Sequence, residues 1–468
     1  MRGSRRVAAD LVGLGDMIAV IGAMVLSALW INAQGDVPVG GLDLVRPALV
    51  ACLIVYFCFC HWRLYDTQDM TRFPSDPGAI VIATAIGTLA VLGLSDADPA
   101  AGVAHVLVWP LVSFVVASLL LIVWRRVMRA VLARLAQSGT FDERIAVYGA
   151  GVIASRVQAY VRGAQGGLRF IGAFDDRTDR KRLGDTDMAV AGSLADLLRA
   201  GREGQVDRII VALPQAAEQR LTHITRELEQ LPVTVHAVTH FSNDLLSGRD
   251  SYKVSNLGPV GLLTVKDKPL ADWAPIVKRG EDVLISASLL LFFLPVIVIA
   301  AAAIKLTSRG PVLFRQRRRG LNHNVIEVLK FRTMTVCEDG NDVRQATGND
   351  TRVTFVGRVM RRSSLDELPQ LVNVLRGEMS LVGPRPHALV HDQHWSEMLE
   401  HYANRHQVKP GITGLAQVSG LRGETKTAAD IQARIDADLE YIATWSLWLD
   451  LWILVRTISA VISAKNAH

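Results

Sequence analysis

Cysteine is scarce in this chain of 468 residues: four in all, Cys52, Cys58, Cys60 and Cys337, three of them inside one apolar run. They form neither a zinc-ligand spacing nor a disulfide framework, which fits a reducing compartment. No tyrosine is followed by a lysine four residues on, so the Tyr-x-x-x-Lys pair of sugar-nucleotide dehydratases and epimerases is missing. Charged residues make up only 21%, against 50% hydrophobic residues and a mean hydropathy of +0.25. That is too apolar for an ordinary soluble enzyme. The net charge of +6 suits either nucleic acid or an anionic membrane. The arginines flank apolar runs, so we expect a lipid bilayer as partner and no nucleic acid.

Four apolar runs, about Leu11–Ala33, Leu44–Trp62, Ala79–Ser95 and Val103–Trp124, each approach the ~20 residues needed to cross a bilayer, the third being the shortest. The connections Gly35-Asp36-Val37-Pro38 and Asp96-Ala97-Asp98-Pro99 carry almost no basic residues and should face outward. Arg2, Arg5, Arg6, Arg63, Arg72, Arg125, Arg126 and Arg129 mark the other ends, so both the N-terminus and the chain after Arg125 are expected in the cytoplasm. The first run is long and has no small-residue cleavage site after it, unlike a signal peptide. Residues 1–130 therefore read as four transmembrane helices.

A strand at Arg144–Tyr148 runs into Gly149-Ala150-Gly151-Val152-Ile153-Ala154, the G-x-G-x-x-G/A pattern in its required context. A second strand, Phe170–Phe174, ends at Asp175-Asp176, where an acidic residue would meet a ribose hydroxyl. Arg208–Leu213 and Val233–His236 add strands, so residues 141–250 read as a Rossmann-like doubly wound α/β domain with Gly149, Gly151 and Asp175 as candidate cofactor-binding residues. The fold does not decide between a bound dinucleotide and a regulatory or assembly role.

A fifth apolar run, Val283–Ile304, has Lys278 and Arg279 before it, Lys305 and Arg309 after it, and Pro295 near its middle. Both ends favour the cytoplasm, so we expect a re-entrant helix–break–helix rather than a span. From Lys305 to Arg332 there are eight basic residues and one acid, Glu327. Within them Arg315 and Arg317 suit either lipid head groups or substrate phosphate. Lys330 and Arg332 alternate with apolar residues and should leave one face of a strand, suited to a diphosphate.

Arg361-Arg362-Ser363-Ser364-Leu365-Asp366-Glu367-Leu368-Pro369-Gln370 places two carboxylates after two arginines, and Arg385 stands between Pro384 and Pro386. A carboxylate can be a nucleophile or a metal ligand, and arginines neutralise phosphoryl oxygens. The same stretch also reads as helix-start chemistry, either an S-x-x-E capping box from Ser364 or a plain N-cap at Asp366. The two readings are compatible, because a helix N-terminus attracts phosphate. His387, His391 and His394 share a helical face, but the acid, arginine and phosphate chemistry favours a hard ion over zinc.

Lys305–Pro311, Lys330–Met334, Ser364–Gln370, Leu381–Pro386 and Lys409–Gly414 follow one another in an order that resembles the bacterial polyprenyl-phosphate sugar-1-phosphate transferases, the monotopic phosphoglycosyl transferases. The resemblance covers about Lys278 to His468. It implies a mostly helical catalytic domain over residues 270–468, and transfer of a sugar-1-phosphate from a UDP-sugar to undecaprenyl phosphate with release of UMP. UDP-glucose is the expected donor and UDP-galactose the runner-up. In that family the first carboxylate, here Asp366, attacks the β-phosphorus, and Glu367 corresponds to the partner that holds Mg²⁺. The whole chain then reads as a membrane α/β protein of the long form, with its active site on the cytoplasmic face of the bacterial inner membrane, priming exopolysaccharide, capsule or O-antigen synthesis. We expect a homodimer. A membrane-anchored dehydratase or epimerase would leave Lys305–Arg385 unexplained, and a non-catalytic scaffold would tolerate loss of Asp366. The Trp445, Trp448, Trp452 and Val455 stripe is expected along the membrane interface.

Overall fold

The computed structural model describes residues 4–34, 42–67, 74–94, 107–163, 167–177, 189–213, 218–238, 254–258, 260–335, 352–399, 401–421 and 428–462. Cys337, Arg72, both expected outward connections, the end of the middle domain at Asp250 and the His391 side chain lie outside the described residues. The chain forms two compact units, residues 1–143 with 161–169, and residues 144–160 with 170–468.

The first unit contains α1 (Arg5–Asn32), α2 (Leu42–His61), α3 (Pro77–Leu94) and α4 (Trp109–Gln137). The α1, α2 and α4 helices are long and apolar enough to cross a membrane, and α3 is a shorter apolar helix. Their outer faces carry exposed Leu53, Phe57, Leu89 and Leu119, as lipid-facing helices do. Arg125, read above as a flanking charge, is instead fully buried inside the bundle. Its Nη2 lies 2.7 Å from Asp16 Oδ2, its Nη1 donates to the carbonyls of Leu64 and Pro74, and its guanidinium sits 4.2 Å over the Phe59 ring. A charge at such a site costs several kcal/mol unless it is paired, so this network fixes how α1, α2 and α4 meet.

After α4, and within the second unit apart from residues 143 and 161–169, β1 (Glu143–Tyr148), α5 (Val152–Gly163), β2 (Leu168–Phe174), β3 (Val190–Gly192), α6 (Leu194–Arg202), β4 (Arg208–Val211), α7 (Glu218–Glu229), β5 (Thr234–Val238), β6 (Val254–Leu257) and β7 (Val260–Lys266) follow in order. They build one sheet ordered β3-β2-β1-β4-β5-β7-β6, parallel except for the antiparallel β6 and β7. The middle region is a mixed sheet with helices, and the sheet extends past Asp250 to Lys266. β1 and β4 are buried almost throughout, as strands covered on both faces must be.

The rest of this unit comprises α8 (Ala274–Thr307), β8 (Leu313–Arg319), β9 (Val325–Phe331), α9 (Phe355–Arg362), α10 (Gln370–Arg376), β10 (Ser380–Val382), α11 (Leu389–Met398), β11 (Gly411–Thr413), α12 (Leu415–Val418), α13 (Ala428–Thr444) and α14 (Leu447–Ile462). β8 and β9 form an antiparallel hairpin, and β10 and β11 pair in parallel. Helical structure in α8 continues through Pro295. The expected interruption is therefore not a gap, because proline removes one hydrogen bond and bends a helix without having to end it. Both halves of α8 pack onto the same body. Ile285, Leu289 and Leu290 join the core around Val328, Leu371 and Tyr441, and Ile297, Ala301 and Ile304 join Phe331 and Met360. On α14, Trp448, Trp452 and Val455 are exposed, while the Trp445 indole N–H turns inward to Asp450 at 2.9 Å.

Candidate active site

Neither form of helix-start chemistry is what Ser364 and Asp366 do. Thr354 is the residue that caps a helix here, its hydroxyl oxygen accepting from the Gly357 N–H at 2.9 Å at the start of α9. Ser364 adopts φ 54° just past the end of α9 and makes no side-chain cap bond. Leu365–Glu367 then form one turn of 3-10 helix, and Pro369 stands directly before α10, where its missing N–H is no loss. The left-handed serine turns the chain so that the two carboxylates face β9.

Asn373, fully buried on α10, holds that arrangement. Its Oδ1 accepts from the Leu329 N–H at 3.0 Å and its Nδ2 donates to the Glu327 carbonyl at 2.7 Å, clamping α10 onto the strand that carries Lys330. Lys330 Nζ consequently reaches Glu367 Oε1 at 2.9 Å, and Arg385 Nη2 reaches the same oxygen at 2.7 Å. Burial opposes a charged Glu367, but Arg385 and Lys330 offset it and hold the carboxyl well below the usual range. Asp366 differs. Burial, then repulsion from Glu367, pushes it up to about 6 against the pull of Lys330, Arg361 and Arg385. Among the described residues both cations close on Glu367, and no side-chain hydrogen bond or ion pair reaches Asp366.

The other expected site residues divide. Arg361 is held near Asp366 by donating from Nε to Thr333 Oγ1 at 2.9 Å, and Arg362 is exposed. Arg332 parts company with Lys330: it is buried and donates to the Ser308 carbonyl and hydroxyl at 2.9 and 2.8 Å. Gly310 makes room for it, since φ 124° suits glycine and a Cβ there would strike the Arg332 guanidinium. Arg332 thus anchors the end of α8. Arg315 and Arg317 are exposed, and Arg315 lies 3.4 Å from Glu327. Arg318, not singled out from the sequence, donates to the Pro386 carbonyl and is packed close enough to Arg385 that burial, then that arginine, lowers it to about 10. The period-2 pairing of Arg318 with buried Gln316 along β8 was the available signal.

In the middle domain, Gly149 has φ 106° and a Cβ there would lie 2.5 Å from the Ala212 carbonyl, so the tight turn requires glycine. Asp175 does not stand open to a ribose. It accepts from the Ala150 N–H at 3.1 Å and pairs with Arg177 at 2.6 Å. A Cβ at Gly151 would meet open space.

A hard divalent ion suits the donor set of Asp366 and Glu367. Among the described residues no group of three or more His, Cys, Asp or Glu forms a cage. Mg²⁺ needs only one or two carboxylates when substrate phosphate supplies the remaining oxygens.

Residues 273–464 match the bacterial sugar transferase family, and residues 79–239 match a CoA-binding domain family. The undecaprenyl-phosphate glucose phosphotransferase of Komagataeibacter xylinus is 36% identical over 463 residues, covering 90% of this chain and 84% of that protein. The UDP-glucose:undecaprenyl-phosphate glucose-1-phosphate transferase of Klebsiella pneumoniae is 42% identical over 279 residues, and the match spans 59% of each chain. The Caulobacter vibrioides protein of the same name is 55% identical over 191 residues, 41% of this chain and 72% of its own. With five motifs in order, the Lys330–Glu367–Arg385 cluster at their centre and a relative aligned along nearly its whole length, this chain belongs to the bacterial sugar transferase family, as a membrane-bound polyprenyl-phosphate sugar-1-phosphate transferase.

Proposed function

We propose that the protein transfers glucose-1-phosphate from UDP-glucose to undecaprenyl phosphate, in two steps through Asp366. A carboxylate oxygen of Asp366 attacks the β-phosphorus, a phosphorus–oxygen bond forms, and the bond to the bridging oxygen breaks to release UMP. The phosphate oxygen of the lipid then attacks the same phosphorus, yielding the lipid diphosphosugar and restoring Asp366. What carries the reading is the asymmetry of the carboxylates: Glu367 is neutralised by Lys330 and Arg385, while its neighbour Asp366 remains uncommitted. Splitting the transfer lets a soluble donor and a membrane-bound acceptor use one site in turn.

Lys330 and Arg385 neutralise diphosphate oxygens, and Arg361, which acts on Asp366, adds positive charge. Asp366 and Glu367 would hold Mg²⁺, which supplies Lewis-acid stabilisation of the phosphoryl oxygens when bound. The Asp366→Asn enzyme, purified in lipid and given UDP-glucose and undecaprenyl phosphate, tests the assignment: UMP release should vanish, and near-normal turnover would refute it. A panel of UDP-sugars tests the donor, with UDP-galactose as the competing substrate.

The active site lies, on this reading, at the cytoplasmic face of the bacterial inner membrane, where the reaction begins exopolysaccharide assembly. The α8 helix enters and leaves by one leaflet. Support comes from both of its ends: Arg279 donates to the Val374 and Leu375 carbonyls at 2.6 and 2.7 Å, and Ser308 is tied to Arg332. A straight 34-residue helix would run about 51 Å and part those ends across a bilayer. Single cysteines at positions 279 and 308 should both label with an impermeant maleimide from the cytoplasmic side alone; labelling of 308 from outside would make α8 a span.

A further inference from the structure

The six-residue 3-10 helix Tyr402–Gln407 is buried except for Ala403 and makes contacts in two directions. Toward the middle domain, Gln407 Nε2 donates to the Glu229 carbonyl at the C-terminal end of α7 at 2.7 Å. Lys266 Nζ, from β7, donates to that carbonyl and to the Leu231 carbonyl, so the end of α7 is fixed from the sheet as well. Toward the active site, Arg405 is almost wholly buried and its Nη2 serves two acceptors, Asp438 Oδ2 at 2.6 Å and the Arg385 carbonyl at 2.7 Å. Its Nη1 donates to His387 Nδ1 at 2.8 Å; burial, then Arg405 itself, holds that imidazole well below its usual range, neutral and able to accept.

Arg405 touches neither carboxylate of the site. Its Nη2 grips the backbone of Arg385, the one arginine among the described residues that bonds to Glu367, while Arg318 grips the next carbonyl, that of Pro386. A core ion pair with Asp438 alone would not need the second bond from Nη2, and a lysine, with one nitrogen in place of the planar fork, could not hold these two acceptors and also reach His387 from the Nη1 position. We propose that Arg405 is a positioning residue that aims Arg385 at the substrate diphosphate, and that Gln407 links this aim to the end of α7, making the middle domain part of the phosphate-binding apparatus. The proposal rests on the reading of Arg385 as a phosphate ligand.

The test is a double-mutant cycle on the full chain in lipid, following UMP release from UDP-glucose. Arg385→Lys should lower kcat/KM about a hundredfold, Arg405→Lys about tenfold and Gln407→Ala about threefold. If the latter two act through Arg385, each should lose its effect in the Arg385→Lys background, a non-additivity that a merely structural role would not produce. Losses that multiply would overturn the proposal. An Arg385→Lys enzyme with unchanged kcat/KM would instead refute the phosphate-ligand reading and the proposal with it, a separate outcome. Should Arg405→Lys fail to accumulate in the membrane, the Gln407→Ala arm decides: wild-type kcat/KM there, or a loss that persists beside Arg385→Lys, overturns the link.

Discussion

Asp175 and Asp366 both follow a pattern that promises phosphate or nucleotide chemistry, yet they end in opposite states. In the middle domain Asp175 turns onto its own glycine loop, takes the Ala150 N–H and pairs with Arg177, so its charge is used within the fold. Burial opposes its charged form, but the bonds from Arg177 and Ala150 lower it below the usual carboxylate range. At the start of α10 the neighbouring Glu367 collects the cations and leaves Asp366 lifted to about 6. A carboxylate is available for chemistry when the structure has spent its partners elsewhere.

The largest expected effect breaks this contrast at the catalytic end. Asp366→Asn should lower UMP release by at least about a thousandfold, since an amide cannot attack phosphorus. Next, excess EDTA should lower turnover about a hundredfold, restored by Mg²⁺ and not by Zn²⁺. Glu367→Gln should weaken the metal dependence while the protein still accumulates in membranes. Activity in EDTA equal to that in Mg²⁺ would remove the ion from the account.

A smaller effect comes from pH. In the proposed mechanism it is the ionised form of Asp366 that attacks, and its pKa is raised, so kcat/KM should fall about tenfold per unit as pH drops below about 6, and level off above it. A profile flat down to pH 5 would contradict the raised value. The smallest effect on turnover belongs to Asp175→Asn, expected within about twofold because Asp175 serves the fold; its cost should appear as about 1.5 kcal/mol of lost stability at neutral pH. The sign is that of a depressed carboxylate: the contribution is present above the unfolded pKa and fades as pH falls through the folded one. A large loss of activity with unchanged stability would give Asp175 a chemical role in place of the structural one.

Much of this was legible because composition and spacing carry it. Apolar runs of membrane length announce helices, and Asp366, Glu367, Lys330 and Arg385 could be named from residue types alone. What escaped was decided by tertiary contacts. The S-x-x-E match at Ser364 pointed to a cap, whereas a left-handed backbone there ends α9 instead. Arg332 looked like the twin of Lys330, but one residue beyond β9 the chain delivers it to Ser308. Arg125 looked like a surface charge until Asp16, 109 residues away, met it inside the bundle. Arg405 lies 20 residues from Arg385 and 33 from Asp438, and no periodicity links them.

The most direct test of the central claim is to trap the intermediate. The full-length protein, incubated with UDP-glucose and no lipid acceptor, should release UMP in a single burst and gain the mass of one hexose phosphate on the peptide containing Asp366. Release that requires the acceptor from the first turnover with no such adduct, or an adduct located on Glu367, would contradict it.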